Sequence, residues 1–118
     1  MSERLTTWEE MVQRVRRQAK DENGAIWPDL HLRAVVFDAA RDLCRDCPDA
    51  LLDGRGRAAP LPVEVMDWDS LLPTSPFYDA ALEALALYKL HVSDASDVKD
   101  ESLANHWLGR YRQLTRGG

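Results

Sequence analysis

The chain has 118 residues, 45% hydrophobic and 30% charged, with a formal charge of −5. That length holds one domain with a thin core, so contacts with neighbouring subunits would add to its stability. The composition lies outside the disordered class, and the net negative charge excludes a surface that wraps nucleic acid on every side.

The first element is expected to start at Thr7. Thr6-Thr7-Trp8-Glu9-Glu10 reads as a capping box, in which a hydroxyl takes up an orphan backbone N–H and Glu10 stands three residues on. Trp8, Met11, Val12, Val15 and Ala19 then recur at helical spacing, with Arg14, Arg16, Arg17 and Lys20 on the remaining faces. Asp21-Glu22-Asn23-Gly24 supplies residues able to close the helix. After the apolar connector Ala25-Ile26-Trp27, Pro28 stands at the first-turn position and Asp29 suits the helix dipole. Leu32, Val35, Val36, Ala39, Leu43 and Cys47 define the buried stripe of the second helix, which Pro48 stops.

Residues 49–76 read as a long irregular interaction loop. Asp53-Gly54-Arg55-Gly56-Arg57 is a turn, Pro60, Pro62, Pro73 and Pro76 break regular structure, and Leu61 to Met66 is an edge strand or extended chain. The third helix is expected from Phe77 to about Val92. Phe77, Ala81, Ala84, Leu85, Tyr88 and Val92 lie on one face, and Leu82, Ala86 and Leu90 on another, so this helix should be central. A polar Ser/Asp turn leads to a fourth helix with Leu103, Trp107, Leu108, Tyr111 and Leu114 on one stripe. The expected fold is all-α: one domain over residues 1–118, a bundle of about four helices in two hairpins, with a basic tail at 110–118.

No motif points to catalysis. Cys44 and Cys47 have the spacing of half a zinc site or a redox pair, yet no second ligand pair exists. They also stand at a helix C-terminus, where the dipole opposes a thiolate. Two small side chains closing a helix are the simpler reading. His31, His91 and His106 are scattered, and Gly54 and Gly56 lack the context of a phosphate loop. The expectation is a protein that is not an enzyme and has no catalytic, cofactor or metal site. Met1-Ser2-Glu3-Arg4 shows no apolar leader, and the apolar run from Ala80 to Leu90 is broken by Glu83 and Lys89. No membrane association is therefore expected, with synthesis in the cytoplasm and cysteines held as thiols.

Charge and aromatic placement are more informative. Asp38, Asp42 and Asp46 follow one another at i, i+4 spacing beside Arg41 and Arg45. The stripe is either a solvated face with weak pairing or a surface that meets a like-charged polymer without holding it. Arg110, Arg112 and Arg116 follow the last acidic residue, Glu101, and either complement the helix dipole or dock into an acidic partner. Trp8 and Trp107 sit on core stripes. Trp27 and Trp68 lie on connectors, and Trp68, within Asp67-Trp68-Asp69, is assigned to an interface, where tryptophan is enriched.

The order of these features resembles the head–tail connector (adaptor) proteins of tailed phages. The matching run begins at Val12-Gln13-Arg14-Val15-Arg16-Arg17, passes the acidic-Gly turn 21–24, and opens a helix at Trp27-Pro28-Asp29. Asp38-Ala39-Ala40-Arg41 and Pro48-Asp49-Ala50 follow. Phe77-Tyr78-Asp79-Ala80, the helix reaching Tyr88, and Ala104-Asn105-His106 through Tyr111 are similar to that family's C-terminal hairpin. Residues 51–74 depart from it, since many relatives place a longer segment with strand character there. The resemblance implies a virion structural subunit forming a homo-oligomeric ring of about a dozen copies beneath the portal. Such a ring extends the channel for passing viral DNA without binding it specifically, and joins the portal protein to the next tail or neck protein. On that reading Asp38, Asp42 and Asp46 line the channel, and Arg110, Tyr111, Arg112, Leu114 and Arg116 dock on the portal. Arg55, Arg57, Val63, Met66 and Trp68 contact a neighbouring subunit or the tail. The alternative is a small helical DNA-binding or regulatory module with the second helix as its recognition element; the acidic stripe opposes it, because duplex affinity comes mainly from cations at phosphates.

Overall fold

The computed structural model describes residues 6–19, 27–47, 65, 67–74, 76–93 and 98–116. Among these the fold is all-α. The helices are α1 (Trp8–Gln18), α2 (Asp29–Asp46), α3 (Asp79–Ser93) and α4 (Val98–Arg116), and a 3-10 turn, Pro76–Tyr78, leads into α3.

Helix α1 starts as its sequence dictates. Thr7 is the N-cap, and its hydroxyl oxygen accepts the Glu10 N–H at 3.1 Å. Trp8, Met11, Val12 and Val15 are buried and Ala19 packs at their edge. The helix closes at Gln18 with Ala19 as C-cap, before the 21–24 turn, which lies outside the described residues. Pro28 precedes α2 as its N-cap, in extended backbone (φ −68°, ψ 157°), and its carbonyl accepts the N–H groups of His31 and Leu32. The expected stripe Leu32, Val35, Val36, Ala39 and Leu43 is buried; Cys47 is half-buried.

Helix α3 is the centre of the bundle and touches α1, α2 and α4. Ala81, Leu82, Ala84, Leu85, Ala86, Leu87 and Leu90 are all buried, which requires neighbours around most of its circumference. The two ends of the expected stripe differ from this pattern. Phe77 belongs to the 3-10 turn ahead of α3 and is 71% exposed, and Val92, at the far end, is 45% exposed. Each lies beyond the zone that the flanking helices cover. On α4, Ala104 and Tyr111 are buried, whereas Leu103, Trp107, Leu108 and Leu114 are half-buried, so Trp107 is a boundary residue.

Ion pairs set the helix directions. Glu9 near the start of α1 meets Arg33 on α2, and Arg16 near its end meets Asp29 at the start of α2, which makes α1–α2 an antiparallel hairpin. Arg14 of α1 reaches Glu83 (2.7 Å) and Asp79 (3.7 Å) on α3.

The described part of the long loop folds back over the start of α1. Trp8 and Glu9 donate their backbone N–H groups to the carbonyls of Ser70 and Trp68, Leu72 donates to the Thr6 carbonyl, and Thr7 and Leu71 form an isolated antiparallel bridge. Trp68 stands edge-on to Trp8 (5.8 Å), and the Arg33 guanidinium lies over the Trp68 ring at 5.1 Å.

Candidate functional site

The surface offers two helix faces and one groove as places where a partner or polymer would be met. The first face is the outer side of α2. Leu30, Ala34, Asp38, Arg41 and Arg45 are exposed on it, and Leu30, at 79%, is the most exposed large apolar side chain described. Phe37 is half-buried there because its ring leans on Trp8 at 5.8 Å. The inner stripe at i, i+3 and i+4 spacing fills the core, so these residues have nowhere to go but out.

The structure separates the three aspartates of α2. Asp38 is open to solvent and meets Arg41 only at 3.9 Å. Asp42 is held between Arg45 (3.2 Å) and Lys89 of α3. Asp46 accepts the Tyr111 hydroxyl proton at 2.8 Å, which ties the end of α2 to α4. Three carboxylates are thus faced by Arg41, Arg45 and Lys89, and the stripe carries little net charge. Tyr111 is 5% exposed. Burial, then the bond to Asp46 and its negative charge, raise its hydroxyl pKa, so it stays a neutral donor. It supports α4 from inside, whereas the flanking Arg110 and Arg112 are exposed and have no carboxylate partner among the described residues.

The second feature is a groove of about 240 Å³ where α1, α3 and α4 meet. It is lined by Gln18 at the end of α1, by Ala80, Glu83 and Ala84 of α3, and by Trp107, Arg110 and Leu114 of α4. Its volume is below the range of roughly 300–1,000 Å³ typical of small-molecule sites. A larger, open depression of about 690 Å³ runs along the outer face of α1 past Thr7, Gln13, Arg14 and Arg17.

The cysteines are free thiols, each half-buried at the end of α2. Burial, with a smaller contribution from Cys47, pushes the Cys44 pKa up to about 11, the opposite of an activated nucleophile. Among the described residues no group of three His, Cys, Asp or Glu side chains could hold a metal ion, and no helix is long and apolar enough to cross a membrane. Arg55, Arg57, Val63 and Met66 lie outside the described residues, as does the Arg116 side chain. Trp68, assigned to an interface on sequence grounds, is half-buried against Trp8 and Arg33 of its own chain.

Four residues carry more than their sequence context signalled. Arg16 is 5% exposed and donates to the Trp27 carbonyl (3.1 Å) while pairing with Asp29. His91 is buried with its ring edge-on to Trp27 at 5.9 Å. Lys89 pairs with Asp42. Asp79 accepts from the Thr6 hydroxyl at 2.5 Å, while its other oxygen is buried without a hydrogen-bond partner. Burial raises the Asp79 pKa, against opposing contributions from Thr6 and Arg14. None of these has a periodicity signal, since each acquires its partner from another element. Comparison with known proteins finds no matching family model, no matching curated protein and no matching solved structure.

Proposed function

We propose that this chain is a structural adaptor subunit that assembles with copies of itself into a ring beneath a phage portal, extends the DNA channel and joins head to tail. The observation that carries this reading is the placement of large apolar side chains on the outside of a small bundle. Leu30 and Phe77 are 79% and 71% exposed on different elements, on a chain whose own core is already filled. Large apolar side chains left in solvent are available to be covered by a neighbouring subunit. The ordered resemblance at the two ends of the chain gives the reading its biological setting.

Within the ring, the C-terminal half of α2 faces the channel. Its charge-balanced surface around Asp42 and Asp46 offers DNA neither a row of cations to grip nor a strong repulsion. Arg110, Arg112, Leu114 and Arg116 dock on the portal, with Tyr111 holding their helix in place from beneath. Residues 49–74 face a neighbour or the next tail component.

Light scattering after size exclusion, and negative-stain imaging with a portal present, test the reading: closed rings are expected. A monomer that binds duplex DNA with a steep salt dependence would overturn it in favour of a DNA-binding module. Truncation after Gln113 should abolish portal attachment and leave the fold intact, while alanine at Asp38, Asp42 and Asp46 together should impair assembly or DNA retention.

A further inference from the structure

Cys44 and Cys47 are the only cysteines of the chain and stand three residues apart at the end of α2. Both are free thiols and half-buried, and Cys47 packs against the core. Side chains three apart on a helix hold their Cβ atoms about 5–6 Å from each other. A disulfide needs about 3.5–4.5 Å, so a regular helix falls short by about 1–2 Å. The backbone at Cys47 is not helical, however. It is the C-cap, with φ −129° and ψ 81°, and its N–H donates to the Leu43 carbonyl at 2.7 Å. Pro48 follows and has no N–H to extend the helix. Rotation about the Cys47 N–Cα bond can therefore close the gap without taking apart a helical turn. Burial raises the Cys44 pKa most, and the charge of Cys47 adds to it, which puts the two sulfurs within electrostatic reach of each other.

We propose that Cys44 and Cys47 are a reversible oxidation site, which a glutathione-type disulfide converts into an intrachain disulfide that locks the last turn of α2. Cys47 attacks one sulfur of the oxidant as a thiolate, and the first glutathione leaves. Cys44 then gives up its proton to solvent and attacks the Cys47 sulfur of the mixed disulfide, releasing the second glutathione. Two S–H groups are oxidised by two electrons, the S–S bond of the oxidant is reduced to two thiols, and the two protons end on glutathione. The raised Cys44 pKa makes the second attack slow. It also withholds from the reduced pair the thiolate stabilisation that makes some disulfides easy to reduce, so the oxidised state persists once made. With both sulfurs half-buried, closure within the chain is favoured over a bond to another chain. Asp46 lies within the loop closed between the two cysteines and accepts the Tyr111 hydroxyl at 2.8 Å. Locking this turn thus steadies the tie between α2 and α4. The site stands whether or not the chain forms a ring.

The experiment treats the full chain with oxidised glutathione and reads its intact mass. The chain should lose the mass of two hydrogens, form no disulfide-linked dimer, and return to its starting mass with dithiothreitol. Cys44→Ser should stop at a glutathione adduct on Cys47, because the thiol that resolves it is gone. Phenylarsine oxide, whose arsenic bridges two neighbouring thiols, measures their proximity without oxidation. The parent chain should bind it about a hundredfold more tightly than Cys44→Ser or Cys47→Ser does. Hydrogen exchange at the Asp46 and Cys47 amides should slow about tenfold on oxidation and recover on reduction. Glutathione adducts that persist on the parent, disulfide-linked dimers, or thiols that stay unmodified through long incubation would overturn the site. Serine variants that hold the arsenical as tightly as the parent would do the same. An intrachain disulfide that leaves the exchange of these two amides unchanged would overturn the lock.

Discussion

Asp79 shows how a single side chain couples the fold to pH. One carboxylate oxygen accepts from Thr6 and lies within 3.7 Å of Arg14; the other is buried without a hydrogen-bond partner. Its pKa is raised above the ordinary 3.8, chiefly by burial. The folded chain therefore binds this proton more tightly than the unfolded chain does. The stabilisation linked to it is complete below the unfolded value and is lost as pH rises through the folded one. Asp79→Asn mimics the protonated form, so it should raise stability at neutral pH and lose that advantage as the solution is acidified; urea titrations at several pH values would show it. Tyr111 is the opposite case, a buried donor that a carboxylate needs. Tyr111→Phe removes the bond to Asp46 and should cost about 1 kcal/mol, because Asp46 is half-exposed and water replaces its lost partner. Neither role was legible in the sequence. The sequence placed Tyr111 on an apolar stripe and, through the resemblance, among the portal-docking residues, and Asp79 only within the run Phe77-Tyr78-Asp79-Ala80, because in each case the partner stands more than sixty residues away.

At the scale of elements, the helices follow from periodicity and capping. Thr7 begins α1 as the capping box requires, and the stripe of α2 from Leu32 to Leu43 is buried as its spacing predicts. Periodicity cannot tell where a covering neighbour ends, so it placed Phe77 and Val92 on the face they share with Ala81 and Ala84. It also treats every arginine as solvated. Arg16 is not: it closes the α1–α2 connection by satisfying the Trp27 carbonyl and pairing with Asp29. Arg16→Ala should destabilise the chain by about 2 kcal/mol, the cost of a lost charged hydrogen bond and a carbonyl left unpaired. On α3, Leu87 is fully buried, so Leu87→Ala opens a core cavity and should cost about 2–5 kcal/mol in denaturant melts. Val92→Ala on the same helix removes a half-solvated side chain and should change stability by less than about 1 kcal/mol.

At the scale of the molecule, the bundle holds its core with α3 inside and keeps its other chemistry for the outside. Several surface charges are paired between helices of the same chain, as in Arg14–Glu83, Arg16–Asp29 and Lys89–Asp42. Among the described residues, Arg17, Arg110 and Arg112 are exposed without a carboxylate partner, and Leu30, Leu71, Phe77 and Val92 are the large apolar side chains left exposed. The sequence made the charged and apolar runs visible but not their division into inner and outer partners, because that depends on which helices meet.

The loop strap over α1 has one more consequence. A helix start normally presents free N–H groups and a positive end, which together attract anions. Here the donors of Trp8 and Glu9 are taken by the carbonyls of Ser70 and Trp68, and that of Glu10 by the Thr7 hydroxyl. The strap and the cap therefore leave Trp8, Glu9 and Glu10 no free N–H at this helix start. Amides at this end of a helix usually exchange with solvent fastest, yet those of Trp8 and Glu9 should be protected. Lifting the strap would expose both amides at once, together with the face of Trp68 that rests on Trp8.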